Sequence, residues 1–147
     1  MALTKVFNLS GVPVPYGLGL KEHYCRRWPG VELVYSKSSS PPMDVQRSRF
    51  LDQDVQFFVL ALGRPLALDP SARSSVSIGF LLDDRCKRTL RFWNDPAVKQ
   101  VDVNLTCERC RLLEEECTDR VAPPVIVRQQ IGQRAKEKAL AKLSSSS

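Results

Sequence analysis

The segment CERCRLLEEEC, residues 107–117, constrains the fold of this chain more than any other, because it holds three of the five cysteines in 147 residues. Cys107 and Cys110 are two residues apart, and Cys117 follows after six more. Two closely spaced thiolates can turn around one cation, and a third can complete three corners of a tetrahedron. Zinc and iron–sulfur clusters both accept thiolate ligands. The spacing therefore predicts a metal centre and leaves zinc and iron open.

A fourth ligand has to come from another part of the chain, and the sequence offers Cys25, Cys86 and the only histidine, His23. Two other interpretations stay open. The cysteines can be buried apolar side chains with a chance CxxC, or they can form a redox pair, although the strand-then-helix setting of such pairs is missing. Disulfides are disfavoured because five is an odd number and because residues 1–17 do not read as a signal peptide. The expected location is therefore the cytoplasm.

Composition predicts an ordinary globular protein, with 43% hydrophobic and 26% charged residues. We expect one domain over residues 1–143 and a disordered tail over residues 144–147. No apolar run reaches the roughly 18 residues that a membrane span needs. The net charge is +6, and much of it falls on residues 128–142, where five basic residues stand against one acidic residue. A solvated basic helix explains this segment, and no DNA- or RNA-binding motif accompanies it.

The sequence contains none of the catalytic motifs that we looked for. A single histidine excludes the HExxH metalloprotease motif, and neither a GxSxG elbow nor a phosphate-binding glycine loop is present. Asp83 and Asp84 are adjacent carboxylates, but they follow an apolar strand and precede basic residues, which is typical of a turn. We therefore expect a protein that is not an enzyme.

Hydrophobic patterning predicts an α+β fold, an antiparallel sheet with flanking helices. In residues 75–82, Val76, Ile78 and Phe80 alternate with small residues, which predicts a half-buried strand. The other predicted strands cover residues 31–36, 54–64 and 89–94, and the predicted helices cover residues 19–28 and 125–143.

Three blocks of sequence resemble the C-terminal domain of Xre-type short-chain fatty-acyl bacterial transcriptional regulators. They are GLKEHYCRRW, then SVSIGFLLDDRCKRTLRFWNDP, then VDVNLTCERCRLLEEECTDRVAPPVIV, and they occur in the family's order. The resemblance covers about residues 7–143. It implies a GAF-like sensor domain with a metal-stapled C-terminal cysteine segment. DNA would be contacted only through a helix-turn-helix part that is not in this chain, and a homodimer is a further expectation.

The resemblance also implies a cofactor and a ligand. The cofactor would be a four-iron iron–sulfur (4Fe-4S) cluster, with Cys25 as the fourth ligand; its full ligand set would be Cys25, Cys107, Cys110 and Cys117. The ligand would be coenzyme A (CoA) or acyl-CoA. Arg26 and Arg27 are candidates for its phosphates because guanidinium forks match phosphate oxygens, and Trp28 is a candidate platform. The alternative is a zinc-stabilised structural or protein-interaction module that senses no small molecule.

Overall fold

The computed structural model describes residues 22–35 and 42–144. The start of the predicted helix at residues 19–21 and residues 145–147 of the predicted tail lie outside the described residues, whereas Ser144, which was also predicted in the tail, is the last residue of a helix. The elements in chain order are α1 (Pro29–Tyr35), β1 (Met43–Phe50), β2 (Val55–Pro65), β3 (Arg73–Leu81), α2 (Asp84–Thr89), β4 (Lys99–Val103) and α3 (Val125–Ser144). The α+β class with flanking helices is confirmed.

The sheet has the strand order β3-β2-β1-β4. β1 and β2 pair antiparallel, as do β2 and β3, whereas β1 and β4 pair parallel, with Gln46 opposite Lys99 and Phe50 opposite Val103. The predicted antiparallel sheet is therefore confirmed only in part, because β4 pairs parallel with β1 and the sheet is mixed. The reason is the connection after β3, in which the chain passes through α2 and returns beside β1 at the far edge instead of forming a hairpin with β3.

The predicted strand at residues 31–36 is wrong, because residues 31–35 belong to α1. Proline suits the first position of a helix, where its missing N–H is not needed, and Pro29 occupies that position here. Val31 and Leu33 are buried. Gly30 allows close packing of α1 on β3, because a Cβ at this position would meet the Ser77 hydroxyl. The described part of the predicted helix at residues 19–28 is irregular up to the start of α1.

The predicted strand at residues 89–94 is also wrong. The Asp83 carboxylate accepts a hydrogen bond of 2.7 Å from the Cys86 N–H and so caps the short helix α2. A turn follows, in which Leu90 and Trp93 pack against the core. The capping signal of Asp83 therefore outweighs the β-propensity of the residues after it.

Two apolar clusters lie on opposite faces of the sheet, because the neighbouring residues Phe57 and Phe58 of β2 point to opposite sides. The first cluster is Cys25, Phe50, Phe57 and Val103, with Trp28 packed against it. The second is Phe58, Leu82 and Val98, with Cys86 and Trp93 packed against it. We call the face with Phe57 the cysteine face and the face with Phe58 the opposite face. α1 covers part of the cysteine face, where Leu33 lies close to Gly63.

The predicted positions of three elements are confirmed to within a few residues, and these elements are β2, β3 and α3. The side chains of Val76, Ile78 and Phe80 do share one side of β3, but this side is exposed. Among residues 22–35 and 42–144, the length and apolar character that a membrane-spanning helix needs are not found together in any helix.

Candidate metal centre and adjoining cleft

Four buried cysteines line one small cavity. They are between 4% and 7% exposed, and they are Cys25, Cys107, Cys110 and Cys117. The structure thus brings together all four residues that were predicted as ligands. Cys86 lies apart from them, on α2 against the second apolar cluster. We call the four residues the thiol cluster.

Cys25 reaches the cysteine segment through backbone pairing. Tyr24 forms an isolated antiparallel bridge with Thr106. The Cys25 N–H donates to the Leu105 carbonyl over 3.2 Å, and the Cys107 N–H donates to the His23 carbonyl over 2.9 Å. Two segments far apart in the sequence are therefore held side by side, which places Cys25 next to Cys107.

Turns and one arginine shape the rest of the cysteine segment. The Cys110 N–H donates to the Cys107 carbonyl over 3.2 Å, which closes the CxxC turn, and the Cys117 N–H donates to the Glu114 carbonyl over 3.3 Å. The Arg120 guanidinium donates to the Cys107 carbonyl over 3.2 Å and to the Leu112 carbonyl over 2.7 Å. Arg120 thereby ties the first cysteine to the loop that leads to the last one.

Burial raises the pKa of two of these thiols, Cys25 and Cys117, and so makes them hard to ionise on their own. Desolvation raises the pKa of Cys25 to about 11. Burial also raises the pKa of Cys117, although the nearby positive charges of Arg27 and Arg120 act in the opposite direction. A bound cation favours the thiolate form, so these thiols become strong ligands when a metal is present.

The donor atoms fit zinc and iron–sulfur centres, because all four are sulfur. The cavity encloses about 10 Å³, which is room for roughly one water molecule. Across the described residues, no group of three or more His, Cys, Asp or Glu side chains is arranged so that it could hold a metal ion. The thiol cluster therefore offers suitable ligands around a shared space, and its sulfur atoms have to adjust to bind a centre.

Glu108, inside the CxxC turn, forms contacts that sequence reasoning missed. Its carboxylate accepts from the His23 backbone N–H over 3.0 Å, and its second oxygen lies 2.7 Å from His23 Nδ1. Burial alone would raise the pKa of Glu108, but these hydrogen bonds from His23 outweigh it and lower the pKa. His23 therefore supports the CxxC turn through Glu108 and is not among the residues that line the cavity.

The same residue anchors the long helix α3. The Glu108 carbonyl accepts from the N–H groups of Ile126 and Val127 over 3.0 and 3.2 Å. These are first-turn amides of α3, which have no partner within the helix. Val127 is the one buried residue of α3. The helix thus begins on the backbone of the CxxC turn.

A larger cleft of about 510 Å³ adjoins the thiol cluster. It is lined by Arg26, Arg27, Glu32, Tyr35, Val101 and Asp119. Three of these residues, Arg26, Arg27 and Asp119, also line the small cavity between the cysteines. The two spaces therefore share a wall.

Arg27 connects the cleft to the cysteine segment. Its guanidinium donates to the Asp119 carboxylate over 3.0 Å and to the Glu116 carbonyl over 2.6 Å. Burial would lower the pKa of Arg27, but the hydrogen bond and charge of Asp119 outweigh it and raise the pKa. Arg26 lies over the Tyr35 ring, with its guanidinium carbon 3.2 Å from the ring centre.

Trp28, the third predicted ligand residue, does not line the cleft. Its indole N–H donates to the Asn104 carbonyl over 2.8 Å, and its ring packs edge-on against Phe50 with 5.9 Å between ring centres. The structure places Trp28, partly buried, against the apolar cluster that contains Cys25 and Phe50.

Glu22 provides an outer support that the sequence did not indicate. It accepts two hydrogen bonds from Arg109, of 2.8 and 2.7 Å, and one of 2.9 Å from the Thr106 hydroxyl. The contact spans the two paired segments that position Cys25 and Cys107. The sequence shows only that Glu22 and Arg109 have opposite charges, and nothing in it places these two residues next to each other.

Comparison of this chain with protein-family models, with curated proteins and with solved structures finds no match.

Proposed function

We propose that this chain is a GAF-like regulatory (sensor) domain of a bacterial transcriptional regulator, which binds an iron–sulfur cluster through Cys25, Cys107, Cys110 and Cys117. The observation that carries the proposal is the position of Cys25, which the fold places at the same cavity as the three cysteines of the segment at residues 107–117. Four sulfur atoms around one space are the donor set that zinc and iron–sulfur centres take, and here they come from two distant segments of the chain.

The adjoining cleft supports a coenzyme A or acyl-CoA ligand. Its volume of about 510 Å³ falls within the roughly 300–1,000 Å³ of small-molecule sites. Arg26 and Arg27 offer positive charge for phosphates, and Tyr35 and Val101 offer apolar surface. A phosphate that bound Arg27 would compete with Asp119 for the guanidinium and so act on the loop that holds Cys117.

Two contacts give the proposed sensor a route to a partner. Arg27 links the cleft to the backbone of Glu116, next to Cys117, and the Glu108 carbonyl links the CxxC turn to α3. A ligand shifts a protein between two states only when it binds them with different affinity. We infer that the state of the metal centre is read through the start of α3, and DNA would be bound by a separate helix-turn-helix part. In this proposal the domain itself catalyses no reaction.

Anaerobic purification of the full chain, followed by the visible spectrum and by assays for iron, sulfide and zinc, tests the metal centre. We expect a brown protein that contains iron and sulfide. A protein that contains neither iron nor zinc after reconstitution would overturn the proposal.

The ligand set is tested by Cys25→Ser, with Cys86→Ser as the matched control. We expect metal content to collapse in Cys25→Ser and to stay at the wild-type level in Cys86→Ser, because Cys86 lies on α2 away from the cavity. Equal retention of metal in both variants would refute the assignment of Cys25.

The ligand is tested by equilibrium dialysis of CoA and acyl-CoA against Arg27→Ala, with Arg64→Ala on β2 as the control. We expect binding to weaken at least tenfold in Arg27→Ala only. Undetectable binding of both compounds to the metal-loaded wild-type chain would refute the cleft assignment and leave the metal centre standing.

A second candidate is a zinc-stabilised structural or protein-interaction module. The observation that favours it is the cavity of about 10 Å³ between the thiols, because a single ion needs less room than a cluster of several atoms. In this case the purified protein would be colourless with about one zinc per chain, as expected for a closed four-ligand site. The protein would also not bind acyl-CoA.

A further inference from the structure

The outer edge of β3 combines two features that natural proteins usually avoid, an edge strand without protective residues and exposed apolar side chains beside it. In the sheet that the described residues form, β3 is an edge strand and has β2 as its one neighbour. Its register with β2 is continuous from Arg73 to Leu81, without a bulge. The sequence from Ser74 to Leu82 contains neither a charged residue nor a proline. Charges, prolines and bulges are the common protection of an edge strand against pairing with another chain.

The side chains of this edge are apolar and exposed on the opposite face. Val76, Ile78 and Phe80 are 67%, 55% and 43% exposed. Leu62 of β2, which pairs with Val76 of β3, is 54% exposed. On the cysteine face α1 covers only the first part of the same strand, where the Ser75 hydroxyl donates to the Gly30 carbonyl of α1 over 2.6 Å, and Leu81 at the end of the strand is 38% exposed. Most of the exposed apolar side chains of β3 therefore lie on the opposite face, beside its outer edge.

The charges at the two ends of the strand suit a second copy of this chain. Arg73 begins β3, and Asp83 follows its last residues and is exposed. In an antiparallel pair of two identical β3 strands centred on Ile78, Arg73 of one copy lies opposite Asp83 of the other. In this register Val76 lies opposite Phe80, so apolar residues meet on the same face. The pattern is self-complementary, as a two-fold interface requires.

We propose that two copies of this chain associate through antiparallel pairing of their β3 strands about a two-fold axis at Ile78, which joins the two sheets into one. The pairing satisfies the outer backbone groups of both strands and continues the apolar surface across the axis. This interface lies on a different edge of the sheet from β4 and the thiol cluster, so it does not depend on the metal centre.

Sedimentation of the full chain over a range of concentrations tests the proposal, with Ile78→Lys as the disrupting variant. Two lysines would meet at the axis, so we expect the dimer dissociation constant to rise at least tenfold. Leu62→Lys is the matched control, because it makes the same change on the same face but on an inner strand. A smaller effect in Leu62→Lys supports edge pairing, whereas an equal effect in both variants means that the faces pack together and overturns it.

A crosslink tests the register even if Ile78→Lys folds poorly. In an antiparallel pair, facing Cα atoms are about 4.5–5.5 Å apart, which a disulfide can bridge. We therefore expect Ile78→Cys to form a covalent dimer under mild oxidation. Val76→Cys is the control, because its two copies would be about 14 Å apart along the strands. The wild-type chain measures the background from its own cysteines.

Besides an equal effect of Ile78→Lys and Leu62→Lys, three further outcomes would overturn the proposal. They are a wild-type chain that stays monomeric at all concentrations, which includes the case in which residues 1–21 occupy the edge; a dimer that Ile78→Lys leaves intact; and equal crosslinking of Val76→Cys and Ile78→Cys. Faster crosslinking of Ile78→Cys together with a dimer sensitive to Ile78→Lys would establish it.

Discussion

The two faces of the sheet are stabilised by different kinds of contact. The opposite face is held by apolar packing of Phe58, Leu82 and Val98. The cysteine face buries polar groups as well, and those with at most 2% exposure are Gln46, Ser48, Asn104 and Thr106. Apolar burial is stabilising without further partners, whereas a buried polar group needs its hydrogen bonds to avoid a net cost. The comparison teaches that the opposite face is stabilised by apolar packing alone, whereas the cysteine face combines an apolar cluster with buried polar groups that need hydrogen bonds.

The largest expected effect comes from the centre of the opposite face. Phe58 is fully buried, so Phe58→Ala leaves a cavity and loses apolar burial. We expect the free energy of unfolding to fall by about 3–5 kcal/mol, measured by urea denaturation of the full chain.

Phe92→Ala is the control for this prediction. Phe92 contacts the Phe58 ring edge-on, with 5.5 Å between ring centres, but it is about half exposed. We expect Phe92→Ala to cost about 1 kcal/mol or less. Equal losses in the two variants would contradict the view that burial in this cluster stabilises the fold.

The sequence predicted the elements whose local signals agree with their final environment. β2 is rich in aromatic and β-branched residues and is a central strand, and α3 is a helix that its own residues favour. β1 was missed because Gln46 and Ser48 occupy its buried positions, where polar residues give no apolar alternation. Gln46 is nevertheless accommodated there, because its side-chain amide donates to the Arg27 carbonyl over 3.0 Å and to the Ser48 hydroxyl over 2.9 Å. Those partners are tertiary contacts, so a local pattern cannot reveal them.

In the candidate site, too, some residues are indicated by the local sequence, whereas others are placed only by tertiary contacts. The spacing of Cys107, Cys110 and Cys117 is local and indicated a shared centre directly. The approach of Cys25 and the supports formed by Glu22 and Glu108 depend on backbone pairing between distant segments. The family resemblance indicated Cys25, but spacing alone left Cys86 and His23 equally open.

An intermediate effect is expected for Arg120, which holds the cysteine segment through two carbonyls. Arg120→Ala leaves the Cys107 and Leu112 carbonyls without this donor, and charged hydrogen bonds of this kind contribute about 1–3 kcal/mol. We expect a loss of that size in the metal-free chain, measured by thermal or urea unfolding, and a lower metal content after reconstitution.

Arg128→Ala is the matched control, because Arg128 is an exposed arginine on α3 with one long ion pair of 3.5 Å to Glu114. Exposed ion pairs contribute little, so we expect a change of less than about 1 kcal/mol. A loss in Arg128→Ala as large as in Arg120→Ala would show that general positive charge near the thiol cluster, and not the two carbonyl contacts, stabilises the segment.

The smallest effect tests how much the Ser75–Gly30 hydrogen bond contributes to holding α1 on the cysteine face, where Glu32 of α1 also pairs with Lys99 of β4 over 3.1 Å. Ser75→Ala removes the hydroxyl that donates to the Gly30 carbonyl, and a hydrogen bond of this kind contributes about 0.5–1.5 kcal/mol net. Ser74→Ala, one residue away on β3, removes a hydroxyl on the other side of the strand and should change the unfolding free energy by less than about 0.5 kcal/mol.

Hydrogen exchange of the α1 amides adds a local measurement, because loosening of α1 raises their exchange rates in Ser75→Ala without affecting those of α2. If both serine variants unfold alike and α1 exchanges at the wild-type rate, the Ser75 hydroxyl is not needed to hold α1, and the packing of Val31 and Leu33 together with the Glu32–Lys99 ion pair holds the helix.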